Sequence, residues 1–333
     1  MYTHSFENQT ILITGGAGSL GKNLVTHILK HGNPKKVIVF SRDEFKHLNM
    51  EHQFADDRLR FFIGDVRDKE RLERAFRGVD IVIHVAALKQ VPILEYNPHE
   101  AIKTNINGSQ NVIEAAIDQG VKKVLLISTD KAAQPNNLYG ATKLCAEKLF
   151  VAANSYAAGK TILSAVRYGN VVGSRGSIVD ILRRSPDTKA VKITDPNMTR
   201  FWITLDQAVE LVLFALEHME GGEVFIPKIP SMKLGDLFTA LAPTAKQDIT
   251  GIRPGEKIHE VLVTEDESRH AIELAEHFVI LPEFIYFAEN LYAAHRATGK
   301  PMHPGSRYAS ETNSQWLDQN GIKKMIESLT ISE

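Results

Sequence analysis

Two short runs near the middle of the chain carry residue types suited to moving protons. The first is Tyr139-Gly-Ala-Thr-Lys143. Tyr139 and Lys143 are four apart, so a helix places them on one face. A free tyrosine has a pKa of about 10 and is a poor base at neutral pH. An ammonium one turn away stabilises the phenolate and lowers that value. Such a tyrosine can take a hydroxyl proton while hydride leaves the same carbon. The second run is Ser128-Thr129-Asp130-Lys131. It sets a carboxyl and an amine side by side; a surface ion pair in a loop is the competing reading. Thr129 adds a hydroxyl, for a ligand or for capping a turn. A lone Tyr-x-x-x-Lys is common by chance, so its meaning depends on the elements before it.

Those elements alternate. Thr10–Thr14, Lys36–Phe40, Leu59–Ile63, Asp80–His84 and Val124–Ile127 are short runs rich in Val, Ile and Phe, apolar on both faces, as buried parallel strands are. Amphipathic stretches lie between them, including Leu20–His31, Lys69–Arg77 and Ala101–Asp118. The pattern predicts an α/β fold with a Rossmann-type doubly wound parallel sheet. Ile162–Arg167 and Glu223–Ile226 read as sixth and seventh strands. After about residue 170, Gly173, Gly176, Pro186, Pro196, Pro227, Pro230, Pro243, Pro254 and Gly255 break the chain into shorter pieces. The expected division is a dinucleotide-binding domain over 1–170 and a smaller, loop-rich substrate lobe over 171–333, with late strands returning to the sheet. The polar tail after Tyr308 is expected to be partly mobile.

The first strand runs into Gly15-Gly-Ala-Gly18-Ser-Leu-Gly21. Glycines at this spacing permit a tight turn, close approach to a pyrophosphate, and close helix–strand packing, with the helix N-terminus facing the anion. The position at the first strand-to-helix junction makes the signal specific. The second strand ends 20 residues after Gly21, at Ser41-Arg42-Asp43. A hydroxyl and a guanidinium fork suit a ribose 2′-phosphate, so NADP is favoured; Asp43 keeps NAD open as the alternative. The expected cofactor contacts are Gly15, Gly18, Ser19, Leu20 and Gly21, then Ser41, Arg42, Asp43 and Lys46. Asp65 and Val66 follow the third strand, and Ala86, Ala87 and Lys89 the fourth. Tyr139 and Lys143 complete the set. Asp65 is suited to the adenine amino group or to a turn.

In this setting the chain resembles the extended short-chain dehydrogenase/reductase superfamily over nearly its whole length. Ser128-Thr-Asp-Lys-Ala-Ala133 is similar to the inverting UDP-N-acetylglucosamine 4,6-dehydratases of the pseudaminic-acid type. Matching blocks are Phe40-Ser-Arg-Asp-Glu44, Ile63-Gly-Asp-Val-Arg-Asp68, Ala86-Ala-Leu-Lys-Gln-Val-Pro92 and Arg167-Tyr-Gly-Asn-Val-Val-Gly-Ser-Arg-Gly-Ser177. Asp195 with Met198-Thr-Arg-Phe-Trp-Ile-Thr204, and Gly251-Ile-Arg-Pro-Gly-Glu-Lys257, match as well. The resemblance implies a redox-neutral lyase with tightly bound NADP, regenerated each turnover. Tyr139 takes the C4 hydroxyl proton as the C4 hydride passes to NADP. Lys131 removes the C5 proton and Asp130 protonates the departing C6 hydroxyl. Hydride returns to C6, and reprotonation of C5 on the opposite face inverts it. Thr129 is implied near O4. Elimination beside a carbonyl needs a base for carbon and an acid for oxygen. Asp130 and Lys131 supply both if each shifts toward neutrality, which a desolvated lysine does readily. The retaining enzymes of this kind carry Asp-Glu there, so Lys131 indicates the inverting branch.

For the nucleotide end of a UDP-sugar, cations and backbone donors are needed. The expected contacts are Lys89, Asn170, Arg200, Arg253 and Glu256. Two departures stand out: Asp180, where relatives tend to carry proline, and a shortened Ile181–Lys192 segment. Other features exclude other functions. Lys and Arg total 39 against 40 acids, which gives no basic excess for nucleic acid. Neither a signal peptide nor a span of roughly 18 apolar residues is evident. Only about nine residues precede the first strand, too few for the membrane segment of related dehydratases. A cytoplasmic enzyme, homo-oligomeric like its relatives, is therefore expected. Cys145 is the one cysteine and reads as a packed small hydrophobe. Glu256, His259 and Glu260 read as an exposed helix face rather than a metal site. The competing functions are a nucleotide-sugar 4-epimerase, an NADP-dependent reductase and a non-catalytic NADP-binding regulator.

Overall fold

The computed structural model describes residues 6–173, 178–183, 189–284 and 291–327. The β-branched runs of the first half form β1 (Thr10–Thr14), β2 (Lys36–Ser41), β3 (Leu59–Ile63), β4 (Ile81–His84), β5 (Lys123–Ile127) and β6 (Ile162–Val166). Each starts and ends within about one residue of where the sequence pattern puts it. They pair in parallel in the order β3-β2-β1-β4-β5-β6. The order reverses at β1, which opens a crevice between β1 and β4 at the carboxyl ends of the strands. The sheet centre is fully buried: Ile11, Leu12, Ile13, Val82, Ile83, Leu125 and Leu126 have no exposure. At the edge, β3 leaves Arg60 and Ile63 to solvent, so it is not apolar-covered on both faces as expected.

The second half adds β7 (Asn170–Val171), β8 (Ala190–Ile193), β9 (Thr199–Ile203), β10 (Val224–Pro227), β11 (Ser231–Lys233), β12 (Lys246–Ile249), β13 (Val261–Val263), β14 (Ala271–Glu273), β15 (His277–Ile280), β16 (Lys300–Pro301) and β17 (Tyr308–Ala309). Four of them return to the main sheet. There β10 joins β6 in parallel, and β15, β14 and β16 extend it antiparallel. The others form three small sheets, β11-β9-β7, β12-β8 and β13-β17, over the crevice side.

The helices are α1 (Ser19–His31), α2 (Glu44–Phe54), α3 (Lys69–Ala75), α4 (Val91–Tyr96), α5 (Pro98–Ala101), α6 (Gly108–Gln119), α7 (Leu138–Ala153), α8 (Ile178–Arg183), α9 (Leu205–His218), α10 (Leu234–Leu241), α11 (Ala293–Thr298) and α12 (Gln319–Glu327). On one side of the sheet α1 packs on α9; on the other α6 packs between α3 and α7. Among the described residues no helix is long and apolar enough to cross a membrane.

Two expectations are corrected here. Ala101–Asp118 is not one α-helix: a π-helical segment, Ile102–Asn107, precedes α6. Its buried Asn105 accepts from Leu88 N at 2.8 Å and donates to Leu88 O and to Thr142 Oγ1, at 2.9 and 3.0 Å. The wider turn thus ties the loop after β4 to α7, a usual place for a π-turn to serve a site. The tail after Tyr308, read from the sequence as polar, carries the helix α12 among its described residues. There α12 buries Ile322 fully against α10, because its apolar residues lie on one stripe.

Candidate active site

Gly15 sits at φ +67°, and a Cβ there would lie 2.8 Å from Ala86 N. Only glycine lets the loops after β1 and β4 touch in this way. The N-cap of α1 is Gly18, with no side-chain cap and no acid in the first turn. The start of α1 is therefore open to an anion. Gly21 lies behind the loop, packed on Gly16, and does not face the cleft.

A cleft of about 650 Å³ runs from this loop across the strand ends. Gly15, Gly18, Ser19, Leu20, Ala86, Ala87 and Lys89 line one end. Thr129, Lys131, Tyr139, Lys143 and Asn170 line the middle, and Arg200, Arg253 and Glu256 the far wall. An adjoining recess of about 200 Å³ collects Ser41, Arg42, Asp43, Lys46, Asp65 and Val66. The structure thus brings together residues spread over more than half of the chain. Asp130 is fully buried just behind the cleft.

In the recess, Asp43 caps α2. Its Oδ1 accepts from Lys46 N at 3.1 Å, and its Oδ2 pairs with Lys46 Nζ at 2.8 Å. The Ser41 hydroxyl bonds His47 Nε2 at 2.7 Å. Arg42 is more than half exposed and lies 3.7 Å from Asp65, which is held chiefly by Arg67.

The reactive run is a short 3₁₀ turn, Asp130–Ala132, capped by Thr129. The Thr129 hydroxyl accepts from Lys131 N at 3.4 Å and donates to Asp130 Oδ1 at 2.8 Å. Lys131 Nζ lies 3.0 Å from Asp130 Oδ1 and 3.4 Å from Asn170 Oδ1. Gly140 lets α7 approach this turn, since a Cβ there would fall 2.1 Å from Lys131 O. Tyr139 is thereby set against Thr129 and Lys131.

Three protonation states differ from simple expectation. Burial alone would lower Lys131, but the charges of Asp130 and Glu260 outweigh it and hold Lys131 above the ordinary lysine range. The expected drift toward neutrality is therefore reversed. Burial raises the Tyr139 phenol; Lys131 pulls it back, Asp130 adds to the rise, and Thr129 again opposes it. The cation that opposes the rise is thus Lys131, from the neighbouring turn. Lys143 is itself pushed down to about 8 by burial, with partial relief from Glu147. Glu147 is also engaged elsewhere. It accepts from Ser128 Oγ at 2.5 Å and pairs with the buried Arg167 at 2.6 Å.

All five residues expected at the nucleotide end line the cleft, with Arg200, Arg253 and Glu256 on the far wall, but Arg200 is clamped. It donates to the carbonyls of Thr199, Ile258 and Lys257 at 2.8, 3.0 and 2.9 Å. Arg253 is exposed, and its backbone N–H donates to Glu256 Oε2 at 3.2 Å. Lys192, Thr194, Trp202, Leu234 and Phe238 also line this wall and were not anticipated. They come from β8, β9 and α10, and no local motif marks them.

Two set-aside signals are corrected. Residues 256–260 form a loop, not a helix, and Glu260 is buried at 3% exposure; His259 Nδ1 instead bonds Thr199 Oγ1 at 2.8 Å. Cys145 is exposed rather than packed. Two residues beyond Lys143, it lies on the opposite side of α7 from the cleft. Asp180 lies on α8, whose Val179 and Leu182 are buried. Ser174–Ser177, with Gly176, and Pro186 of the shortened segment lie outside the described residues.

Sheet order, glycine loop and the Tyr139–Lys143 pair define an extended short-chain dehydrogenase/reductase. The chain belongs to the family described as "Polysaccharide biosynthesis protein", which it matches over residues 11–282. It is 49% identical over 327 residues to a Campylobacter jejuni protein named "UDP-N-acetylglucosamine 4,6-dehydratase (inverting)", covering 96% of this chain and 98% of that one. It is 42% identical over 284 residues to a Rickettsia conorii protein named "UDP-glucose 4-epimerase", covering 83% of each. The solved structure of Pen from Bacillus thuringiensis superposes with a TM-score of 0.88 at 39% identity, covering 97% of this chain and 98% of that one. The resemblance drawn from the sequence motifs is borne out.

Proposed function

We propose that the chain is a UDP-N-acetylglucosamine 4,6-dehydratase that inverts C5. Its product is a UDP-2-acetamido-2,6-dideoxy-L-arabino-hex-4-ulose, a sugar for surface glycans of the pseudaminic-acid type. The observation that carries this reading is the Lys131–Asp130 pair, 3.0 Å apart in the same cleft as Tyr139. A 4-epimerase or a reductase uses the tyrosine but has no step for that pair. The near-full-length identity to the inverting dehydratase supports the same choice.

The open start of α1 and the glycine contact at Ala86 fit a dinucleotide, with residues 1–170 holding it and the lobe over 171–333 holding the sugar nucleotide. A nicotinamide held there by these residues would supply the hydride acceptor for sugar C4 and the donor for C6. We assign NADP because Arg42 offers a free guanidinium face at the recess while Asp43 is turned into the cap of α2. Gly15, Gly18, Ser19 and Leu20 would cradle the pyrophosphate, and Lys143 the ribose. Asp65 is placed for the adenine. Arg253, Glu256, Lys89 and Asn170 would meet the UDP-sugar, with Arg200 shaping the wall. The enzyme would act in the cytoplasm as a homo-oligomer.

Tyr139 takes the O4 proton in its phenolate form, which the Lys131 charge favours against burial, and Thr129 orients that hydroxyl. Elimination then needs a neutral amine at Lys131 and a protonated Asp130. A single proton crossing the 3.0 Å hydrogen bond from Lys131 Nζ to Asp130 Oδ1 produces both. Lys131 removes the C5 proton, and Asp130 returns its own to the leaving O6, so the pair ends as it began. Reprotonation of C5 from the opposite face inverts it.

Incubation with UDP-N-acetylglucosamine in deuterated water, followed by NMR, tests this. Loss of one water, deuterium at C5 and an inverted centre are expected. Interconversion at C4 with O6 retained would instead establish the epimerase reading, which the Rickettsia relative's name favours.

A further inference from the structure

One carboxylate of the site has no part in the steps above. Glu260 precedes β13 and is fixed by its backbone: its N–H donates to Ser310 Oγ, and its carbonyl accepts from Ser310 N, both at 2.8 Å. Its side chain points into the wall of the cleft. There Oε1 lies 3.8 Å from Lys131 Nζ and 3.8 Å from Arg200 Nε, and Oε2 lies 3.7 Å from Lys257 Nζ. The buried Oε2 has no hydrogen-bond partner.

These distances say what Glu260 does. All three exceed hydrogen-bonding range, so Glu260 tethers none of these cations and acts through its charge. A buried carboxylate without a hydrogen bond is costly, and proteins keep such groups chiefly where chemistry needs them. Its surroundings are accounted for by other contacts. Arg200 is clamped to three carbonyls, and Lys257 donates to Ala133 O at 2.6 Å. All three cations feel the Glu260 charge, and Lys131 is the one of them not anchored to a backbone carbonyl. The charged and titratable groups facing Lys131 are Asp130 on its own turn, Tyr139 on α7, Arg200 on β9, Lys257 in the loop before β13, and Glu260. Arg200 repels the ammonium, and Asp130 alone would have to offset it. When Asp130 carries a proton, Glu260 is the one negative charge among these five.

We propose that Glu260 is a positioning residue for Lys131: its fixed charge keeps the proton on Lys131 and remains as the counter-charge when Asp130 becomes neutral. This rests on Lys131 being the C5 base, but its test does not need turnover. The purified full-length enzyme is exposed to trace acetic anhydride at about pH 9, and acetylation of Lys131 is read by peptide mass spectrometry against a surface lysine such as Lys189. An opposite charge within about 4–6 Å changes proton affinity by one or more pK units. In the isosteric Glu260→Gln variant Lys131 should therefore label at least about tenfold faster. Glu260→Asp should return most of the wild-type protection. Equal labelling of wild type and Glu260→Gln, both folded by circular dichroism, would overturn the proposal. It would show Glu260 to be neutral or merely structural. Should Glu260→Gln not fold, Glu260→Ala is read in its place: Lys131 should again label at least about tenfold faster than in wild type, and equal or slower labelling would overturn the proposal. Failure of the UDP-sugar assay with these labelling results intact would remove the dehydratase reading and leave the pair itself standing.

Discussion

Lys143 makes the enzyme less stable than it could be, and the cost can be worked out. The side chain is 2% exposed, and its pKa falls from 10.5 to about 8. Between those values the unfolded chain binds a proton that the folded chain does not, so stability rises with pH across this window. Below about pH 8 the penalty is present in full. At 1.36 kcal/mol per unit it amounts to roughly 3 kcal/mol at pH 7 and under about 1 kcal/mol at pH 10. Lys143→Met keeps the stem and removes the charge. In nucleotide-free enzyme it should therefore melt higher than wild type at pH 7, by roughly 4–6 °C at about 2 °C per kcal/mol. The gap should close toward pH 10, where wild-type Lys143 is already neutral. The same variant should lose most turnover, because the ammonium is the group proposed to hold the cofactor's ribose. Scanning calorimetry at the two pH values decides it. A variant that melts lower than wild type at pH 7, or a gap independent of pH, would show that burial of Lys143 is not what lowers its proton affinity.

Three shorter predictions follow from the same geometry. Gly140→Ala puts a methyl 2.1 Å from Lys131 O, where ordinary contact begins at 3.4 Å. The helix and turn must part by about 1 Å, which should cost roughly 100-fold in kcat with the fold retained by circular dichroism. Arg42→Ala should weaken NADP binding by about 10- to 100-fold and leave NAD binding nearly unchanged, read by titration of cofactor fluorescence. Maleimide labelling of Cys145 should go to completion in the folded protein without loss of turnover, since the thiol is exposed on the far side of α7.

The parallel sheet was legible because its signals are local. Runs such as Thr10–Thr14 and Leu59–Ile63 are short, rich in β-branched or aromatic residues and bounded by turn residues, so neighbours in sequence decide them. Gly15, Gly18, Tyr139 and Lys143 were legible for a similar reason: a loop or one helical turn fixes their spacing. The π-turn at Ile102–Asn107 was not, because it depends on Asn105 finding Leu88 and Thr142 across the fold. Nor was the far wall, whose Lys192, Trp202 and Phe238 meet only after β8, β9 and α10 pack.

Protonation was the least legible property, for a physical reason. A pair such as Asp130-Lys131 can be read from the sequence, but the proton's place on it is set by every charge within several ångströms. Glu260 lies 129 residues from Lys131 and 3.8 Å from its ammonium. Glu147 is one turn from Lys143, yet its charge does not offset the burial of the ammonium. For Lys143 the sequence neighbour gives the wrong sign, since the lysine looks securely charged and is pushed toward neutrality; for Lys131 the adjacent Asp130 is the larger charge keeping it protonated, and the distant Glu260 adds to it. The two lysines divide the work accordingly. The one expected to act as a base is kept protonated until Asp130 can take its proton. The one expected to act only as a charge sits close to its own titration point, so binding an anionic ribose-phosphate beside it should draw a proton onto it.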